Sequence, residues 1–245
     1  MSAILCLDCG NTRIKWGLRS TDRWSATGSL PTSAAAQIGA QLPSPQTYQS
    51  VVGCNVAGPI VAAAMEAALK QPVAWQPARS EQCGVRNGYS VPTQLGADRW
   101  AALIGARVLH DGAALVVNSG TATTIDVIDE SGLFRGGLIL PGLALMRESL
   151  PRGTAQLPQA QGLYRRYPSN TDDAIESGIL HGTVGAIERM FSIADTSPSL
   201  RCLLAGGAAE TLAPLLSIPF VRIDNLVLEG LARMAMDGTP HRNER

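Results

Sequence analysis

Residues 3–18 read Ala3-Ile4-Leu5-Cys6-Leu7-Asp8-Cys9-Gly10-Asn11-Thr12-Arg13-Ile14-Lys15-Trp16-Gly17-Leu18. An apolar run from Ile4 to Leu7 ends in Asp8. A turn with Gly10 and Asn11 follows, and Ile14, Trp16 and Leu18 then alternate with other residues. This spacing predicts strand, tight turn, strand. A buried strand thereby delivers the Asp8 carboxylate to a sheet edge, and Gly10 permits close backbone approach to a ligand. Asn11 and Thr12 offer side-chain donors, and Lys15 adds a fixed positive charge. A carboxylate for a metal ion beside such donors suits a polyphosphate with Mg²⁺. A plain hairpin with a capped turn is the competing reading, because short glycine-turn motifs are weakly specific.

The pattern recurs at Ala114-Leu-Val-Val-Asn118-Ser119-Gly120-Thr121-Ala122-Thr-Thr-Ile-Asp126-Val-Ile128. Asn118 stands where Asp8 stood, Gly120 where Gly10 stood, and Thr121 where Asn11 stood. Two such units about a hundred residues apart predict a duplicated α/β fold whose turns face each other across a nucleotide cleft.

The totals agree with a globular chain. It has 245 residues, 45% hydrophobic and 16% charged, with 20 basic and 20 acidic side chains. The balanced charge gives no support for nucleic-acid or anionic-membrane partners. No apolar run is long enough to span a bilayer, and the start of the chain lacks the basic region and cleavage site of a signal peptide. A cytoplasmic protein is expected. The five cysteines, Cys6, Cys9, Cys54, Cys83 and Cys202, are odd in number and widely spaced, which disfavours a disulfide framework. Cys6 and Cys9 form a C-x-x-C with no second pair, so the five read as small buried thiols rather than a redox or zinc site.

Between the two turns, a helical or irregular segment over 32–42 should end at Pro43 and Pro45. A strand is expected over 48–54, a helix opened by Pro59, and a short strand at 73–75. A polar loop over 82–95 carries Tyr89. Gly96-Ala97-Asp98-Arg99 then opens a helix whose buried face is Trp100, Leu103, Ile104 and Val108. Asp98 in the first turn complements the helix dipole, or presents its carboxylate to a cleft that Tyr89 helps shape. After the second turn, a short helix 143–150 should stop at Pro151, and 151–170 reads as an irregular excursion. Thr171 is the expected N-cap of a long helix, with or without a ligand contact. The strand 201–205 leads into Gly206-Gly207 and a helix, which reads equally as an adenine or ribose site or as an ordinary turn. A strand at 219–223 and a helix at 225–236 follow. Domains are expected at 1–113 and 114–236, with a frayed tail at 237–245.

Asp8-x-Gly10-Asn11-Thr12-x-x-Lys15, Gly96-x-Asp98-Arg99, Ser119-Gly120-Thr121-Ala122-Thr123-Thr124-x-Asp126, Gly137-x-x-x-Pro141-Gly142 and Thr171 before Asp and Ala together resemble type III pantothenate kinases. The resemblance runs in order from residue 5 to about 235. It implies two duplicated ribonuclease-H-like or actin-like α/β domains with ATP between them, in a homodimer. It implies ATP-dependent phosphorylation of pantothenate to 4′-phosphopantothenate, the first step of coenzyme A biosynthesis. Asp8, Gly10, Asn11, Thr12, Arg13 and Lys15 would hold the ATP phosphates, with Mg²⁺ on Asp8 through water, and Gly120 and Thr121 would form a second ATP contact. Asp98 would be the general base. Tyr89, Gly96, Ala97, Asp98, Arg99 and Thr171 would line the pantothenate pocket. Many members carry Asp where this chain has Asn118, and there it helps hold a monovalent cation. Asn118 can coordinate through oxygen but carries no charge, which leaves a K⁺ or NH₄⁺ requirement open.

Two other classes compete. The family includes a member described as an accessory factor for transcription, which makes a regulatory protein without kinase activity the first alternative. Retention of Asp8, Lys15 and Asp98 argues against it. The second is a sugar or acetate kinase of the same superfamily, disfavoured by the Gly96–Arg99 stretch after the Tyr89 loop.

Overall fold

Alternation in the first strand, β1 (Ala3–Cys9), places Leu5, Leu7 and Cys9 in one apolar cluster with Ile14, Trp16 and Leu18 of β2 (Arg13–Ser20). Cys6 and Asp8 belong to the opposite face by the two-residue period of a strand. The computed structural model describes residues 3–21, 23–44, 47–153, 161–194 and 197–237. Pro45, part of the expected excursion at 154–160, and the expected frayed tail beyond Asp237 lie outside them.

The chain divides into two compact units. In the first, a five-stranded sheet has the order β3-β2-β1-β4-β5, with β3 at Arg23–Pro31, β4 at Tyr48–Asn55 and β5 at Ala74–Trp75. β1 runs antiparallel to β2 and parallel to β4. A 3-10 segment, Thr32–Ala40, and helix α1 (Pro59–Leu69) cover the Leu5–Leu7 face. Pro59 occupies the first turn of α1, where a missing N–H costs nothing.

Helix α2 (Ala97–Leu109) and the last helix, α6 (Leu226–Asp237), belong to the same unit and pack on each other. Their backbones meet at Gly105 and Gly230. A Cβ on Gly230 would strike the Ala101 carbonyl, and one on Gly105 would strike that of Leu226. The expectation from sequence groups 225–236 and Gly132–Phe134 with the second half of the chain. By contacts both segments belong to the first unit, because α6 buries Leu226, Val227, Leu228 and Leu231 there.

The expected polar loop contains a small hairpin, β6 (Glu81–Gln82) and β7 (Val85–Asn87). Leu133 and Phe134, the first two residues of β10 (Leu133–Pro141), pair in parallel with β7. Cys83 turns this hairpin at a φ of 52° and is partly exposed, unlike the other four cysteines. A thiol at a hairpin tip has no core to enter, which corrects the expectation that all five are buried. Val108 is likewise 45% exposed. The buried stretch of α2 ends at Ala106, and Val108 lies in the last, exposed turn of the helix.

The second unit repeats the plan of the first. Its strands β8 (Ala114–Ser119), β9 (Ala122–Ile128), β11 (Arg201–Ala205) and β12 (Phe220–Arg222), with β10, take the order β10-β9-β8-β11-β12. β8 is antiparallel to β9 and parallel to β11, as β1 is to β2 and β4. Helices α3 (Leu143–Gly153) and α4 (Thr171–Ala194) pack on one another and close a separate core around Leu115, Val117, Ile125, Ile179 and Ile187. Arg147 of α3 holds Glu176 of α4 through two 2.6 Å hydrogen bonds. α3 continues through Pro151 to Gly153 instead of stopping before it. The helix expected after Gly206-Gly207 is a short α5 (Ala209–Leu212) followed by a 3-10 turn.

Candidate active site

Asp8 lies at the C-terminal end of β1, opposite Lys15 on β2 and Cys54 on β4. It is buried, 9% exposed. Among the described residues its one hydrogen-bond donor is the Cys54 thiol, whose Sγ is 3.6 Å from Oδ1. Burial pushes the Asp8 carboxyl up to about 6, from an ordinary aspartate value of 3.8. Lys15 and the thiol oppose that rise, and the nearby charge of Asp98 adds to it. Asp8 and Asp98 therefore share one electrostatic neighbourhood within the first unit.

The turn after β1 is pinned from two sides. Gly10 N–H donates to the Arg13 carbonyl at 3.1 Å, and Thr32 binds the turn twice, N–H to the Thr12 carbonyl and hydroxyl to the Gly10 carbonyl. Asn11, Thr12 and Arg13 are exposed, with Arg13 held by the Ser29 hydroxyl at 2.5 Å. This leaves the side chains of Asn11 and Thr12 on a rigid turn beside a buried carboxylate.

The second turn, one residue shorter, carries counterparts of the two backbone bonds. Gly120 N–H donates to the Ala122 carbonyl, and Gly142 N–H donates to that of Thr121, each at 2.9 Å. Val56 N–H caps the Cys9 carbonyl in the first unit, and Ala208 N–H caps the Ser119 carbonyl in the second, each at 3.0 Å. Asn118 is half-buried and takes the register place of Asp8, between Thr124 and Ala205. The duplication thus extends to individual hydrogen bonds, and it replaces the carboxylate by an amide. A cavity of about 150 Å³ in this unit is lined by Gly206, Gly207, Glu210, Arg222 and Asp224. A larger one, about 680 Å³, borders Val127, Asp129, Arg135 and Met190 at the opposite end of β8 and β9 from Gly120. No residue expected to act on ATP or substrate lines it.

Asp98 sits in the first turn of α2, and its Oδ1 accepts the Arg99 N–H at 2.8 Å. A Cβ on Gly96 would come within 2.7 Å of that same oxygen, so glycine is what lets Asp98 hold this position. Arg99 is 5% exposed. Its guanidinium donates to the Tyr89 hydroxyl at 3.1 Å and lies 5.7 and 5.8 Å from the Tyr89 and Phe134 ring centres. Stacking of this kind suits a planar cation. The Asn87 side chain secures the Tyr89 loop, donating to the Arg79 and Pro92 carbonyls and accepting from Tyr89 N–H. Trp100 Nε1 donates to Gln82 at 3.0 Å, tying α2 to the hairpin.

Tyr89, Gly96, Ala97, Asp98 and Arg99 thus stand in the first unit with Asp8, Gly10, Asn11, Thr12, Arg13 and Lys15. Thr171, Gly120, Thr121 and Asn118 stand in the second. Thr171 is not the helix cap. Asn170 Oδ1 accepts the Asp173 N–H at 2.9 Å, and Asn170 Nδ2 donates to Asp173 Oδ2 at 3.0 Å. Asn outranks Thr as a cap, and the Asp173 carboxylate closes the reciprocal pair. Sequence reasoning missed Cys54, Asn87 and Phe134. Cys54 ends a strand parallel to β1, a register that pattern alone does not reveal.

Among the described residues no group of three His, Cys, Asp or Glu is gathered for a metal. The Asp8 carboxylate, buried and served by one weak thiol donor, fits a hard divalent cation that takes its other ligands from phosphate and water. Among the same residues, no helix is long and apolar enough to cross a membrane.

A duplicated α/β sheet with paired glycine turns, one of them flanked by a buried carboxylate and a lysine, defines an ATP-dependent phosphotransferase of the actin and sugar-kinase fold. Solved structures share the architecture. One from Campylobacter jejuni, assigned to the Baf family of transcriptional activators, superposes with a TM-score of 0.63 at 22% identity, covering 95% of this chain and 97% of that one. One from Sinorhizobium meliloti, assigned as a 2-dehydro-3-deoxygalactonokinase, gives 0.63 at 14%, covering 97% and 99%. At these identities the likeness speaks for the fold alone. The family model described as type III pantothenate kinase matches residues 4–193. The type III pantothenate kinase of Aromatoleum aromaticum is 54% identical over 237 residues, covering 96% of this chain and 98% of that protein. That of Dechloromonas aromatica is 46% identical over 242 residues, covering 95% and 99%. The chain belongs to the type III pantothenate kinase family. It is a kinase of coenzyme A biosynthesis that uses ATP with a divalent metal and acts on pantothenate.

Proposed function

We propose that Asp98 is the general base of this kinase and Asp8 the carboxylate that holds its divalent cation, Mg²⁺, through water. One arrangement carries the assignment: the Asp8 carboxylate is buried at the C-terminal end of β1 beside Lys15, and Asp98 opens α2 in the same unit, near enough for its charge to push the Asp8 carboxyl up. Asp98 takes the proton from the 4′-hydroxyl of pantothenate while that oxygen bonds to the γ-phosphorus of ATP and the bond to the leaving ADP breaks. A hydroxyl is a weak nucleophile at neutral pH, and a placed base contributes roughly 10²–10⁴-fold. Phosphoryl transfer otherwise depends on positioning and charge neutralisation. The bound cation supplies charge neutralisation at the phosphate oxygens. Lys15 adds a fixed charge beside Asp8, and Gly10, Asn11, Thr12 and Arg13 offer the turn that cradles phosphate. Gly120 and Thr121 form the corresponding turn of the second unit. Tyr89, Gly96, Ala97 and Arg99, with Thr171, bind pantothenate. Arg99 stacked on Tyr89 suits an anionic or polar acceptor.

Asp98→Asn should keep ATP and pantothenate binding by calorimetry and lose at least about 10²-fold in kcat. Turnover near that of the wild type would remove Asp98 from the mechanism.

The same reading makes the enzyme a cytoplasmic homodimer. Asn118 retains an oxygen for K⁺ or NH₄⁺ without adding charge. Comparing kcat in K⁺, NH₄⁺ and Na⁺ at equal ionic strength tests that cation, and light scattering of the purified chain tests the dimer.

A further inference from the structure

We infer that Cys54 is a positioning residue for the phosphoryl-transfer site: its thiol fixes the rotamer of Asp8 and commits Oδ1, so that Oδ2 is the oxygen offered to the cation and its water. The inference rests on the assignment of Asp8 above. Cys54 is 1% exposed and sits on β4, directly across the parallel register from Asp8. Its Sγ lies 3.6 Å from Oδ1, and no donor among the described residues reaches Oδ2.

The rest of the sheet explains why a thiol is needed. Asp8 is flanked in register by Lys15 and Cys54. A buried carboxylate without donors carries a large desolvation cost, and a carboxylate free to rotate gives a poorly directed ligand. Residues that orient a metal ligand through a hydrogen bond commonly matter for affinity nearly as much as the ligand. The thiol suits the task because it is a weak donor with little acceptor strength. It restrains the carboxylate without neutralising it. Buried at the end of β4 with its Sγ on Asp8 Oδ1, the thiol is placed as a donor to that oxygen. It has no contact with substrate in this role and acts through Asp8 alone.

Cys54→Val keeps the site filled, adding about one methyl group, and removes the donor; Cys54→Ala removes the donor and leaves space. The first readout is the S–H stretching band of the full-length protein in Raman difference spectra. The band lost in Cys54→Val should be shifted by hydrogen bonding, and it should move toward the free-thiol position in Asp8→Asn. The second is Mn²⁺ binding in the presence of AMPPNP, followed by electron paramagnetic resonance. Both cysteine variants should bind the Mn²⁺ nucleotide complex about three- to tenfold more weakly, as loss of one ordinary hydrogen bond implies, with the KM for pantothenate unchanged. A packing role alone would lower the melting temperatures of the variants and leave their metal-nucleotide affinity at the wild-type level. An S–H band indifferent to Asp8→Asn, or metal-nucleotide affinity at the wild-type level in Cys54→Val, overturns the inference. If Cys54→Val does not fold, the same two readouts on Cys54→Ala decide it. Should Asp8→Asn itself bind the Mn²⁺ complex as the wild type does, the assignment of Asp8 fails instead.

Discussion

Asp8 combines burial with charge, and the combination has a sign that can be measured. Its folded-state pKa of about 6 stands above the unfolded value near 3.8. The folded chain therefore holds this proton more tightly than the unfolded chain. The contribution to stability is present below pH 4 and is lost as pH rises through 6. A rise of that size corresponds to about 3 kcal/mol at neutral pH, comparable with a sizeable share of a domain's net stability. Asp8→Asn should therefore raise the unfolding free energy of the ligand-free protein by about 1–3 kcal/mol at pH 8. The two denaturation curves should converge below pH 4. Equal stabilities at pH 8 would mean that Asp8 is solvated. Sequence reading reached this residue because a lone carboxylate after four apolar residues is conspicuous. It did not reach Cys54, because one buried thiol looks like another until the parallel neighbour of β1 is known. Nor did it single out Cys83 as partly exposed, because exposure there depends on a two-residue turn between very short strands.

Among the elements, strands were more legible than caps and ends. The two strand-turn-strand units lie where alternation and glycine placed them, because a period of two and a polar turn are local signals. The start of α4 was misread by one residue. Asn170 and Thr171 are both good capping residues, and only the bond from Asp173 N–H to Asn170 separates them. The consequence is a pair of expected results. Asn170→Ala should lower stability by about 1 kcal/mol, since it strips both bonds that close the first turn. Thr171→Ala should change stability by less than about 0.5 kcal/mol and raise the KM for pantothenate, in keeping with its proposed contact with substrate. Thermal melts and steady-state kinetics of the two variants separate the cap from the ligand contact. A Thr171→Ala variant that is as destabilised as Asn170→Ala would restore Thr171 as the cap.

For the whole chain, the placement of α6 is the feature that local pattern does not encode. The helix itself is readable from its apolar spacing, but its unit is set by Gly105 and Gly230, 125 residues apart in sequence, which let two backbones touch. The first unit is therefore completed by the last helix, and a chain ended after Asp224 would lack part of its core. That deletion removes Leu226, Val227, Leu228, Leu231, Ala232 and Met234, all buried. Burial of a large apolar side chain contributes about 1.5–3 kcal/mol, so the combined loss is on the order of the 5–15 kcal/mol that typically holds a protein folded. All four tryptophans, Trp16, Trp24, Trp75 and Trp100, belong to the first unit, so tryptophan emission excited at the red edge reports on that unit alone. Trp24 Nε1 even donates to Glu229 of α6 at 2.5 Å. The truncated chain should emit at the wavelength of solvated indole while far-ultraviolet dichroism retains the helical signal of α3 and α4, whose core around Leu115, Ile125 and Ile187 contains no residue of α6. Emission at the native wavelength after truncation would show that the first unit folds without its terminal helix.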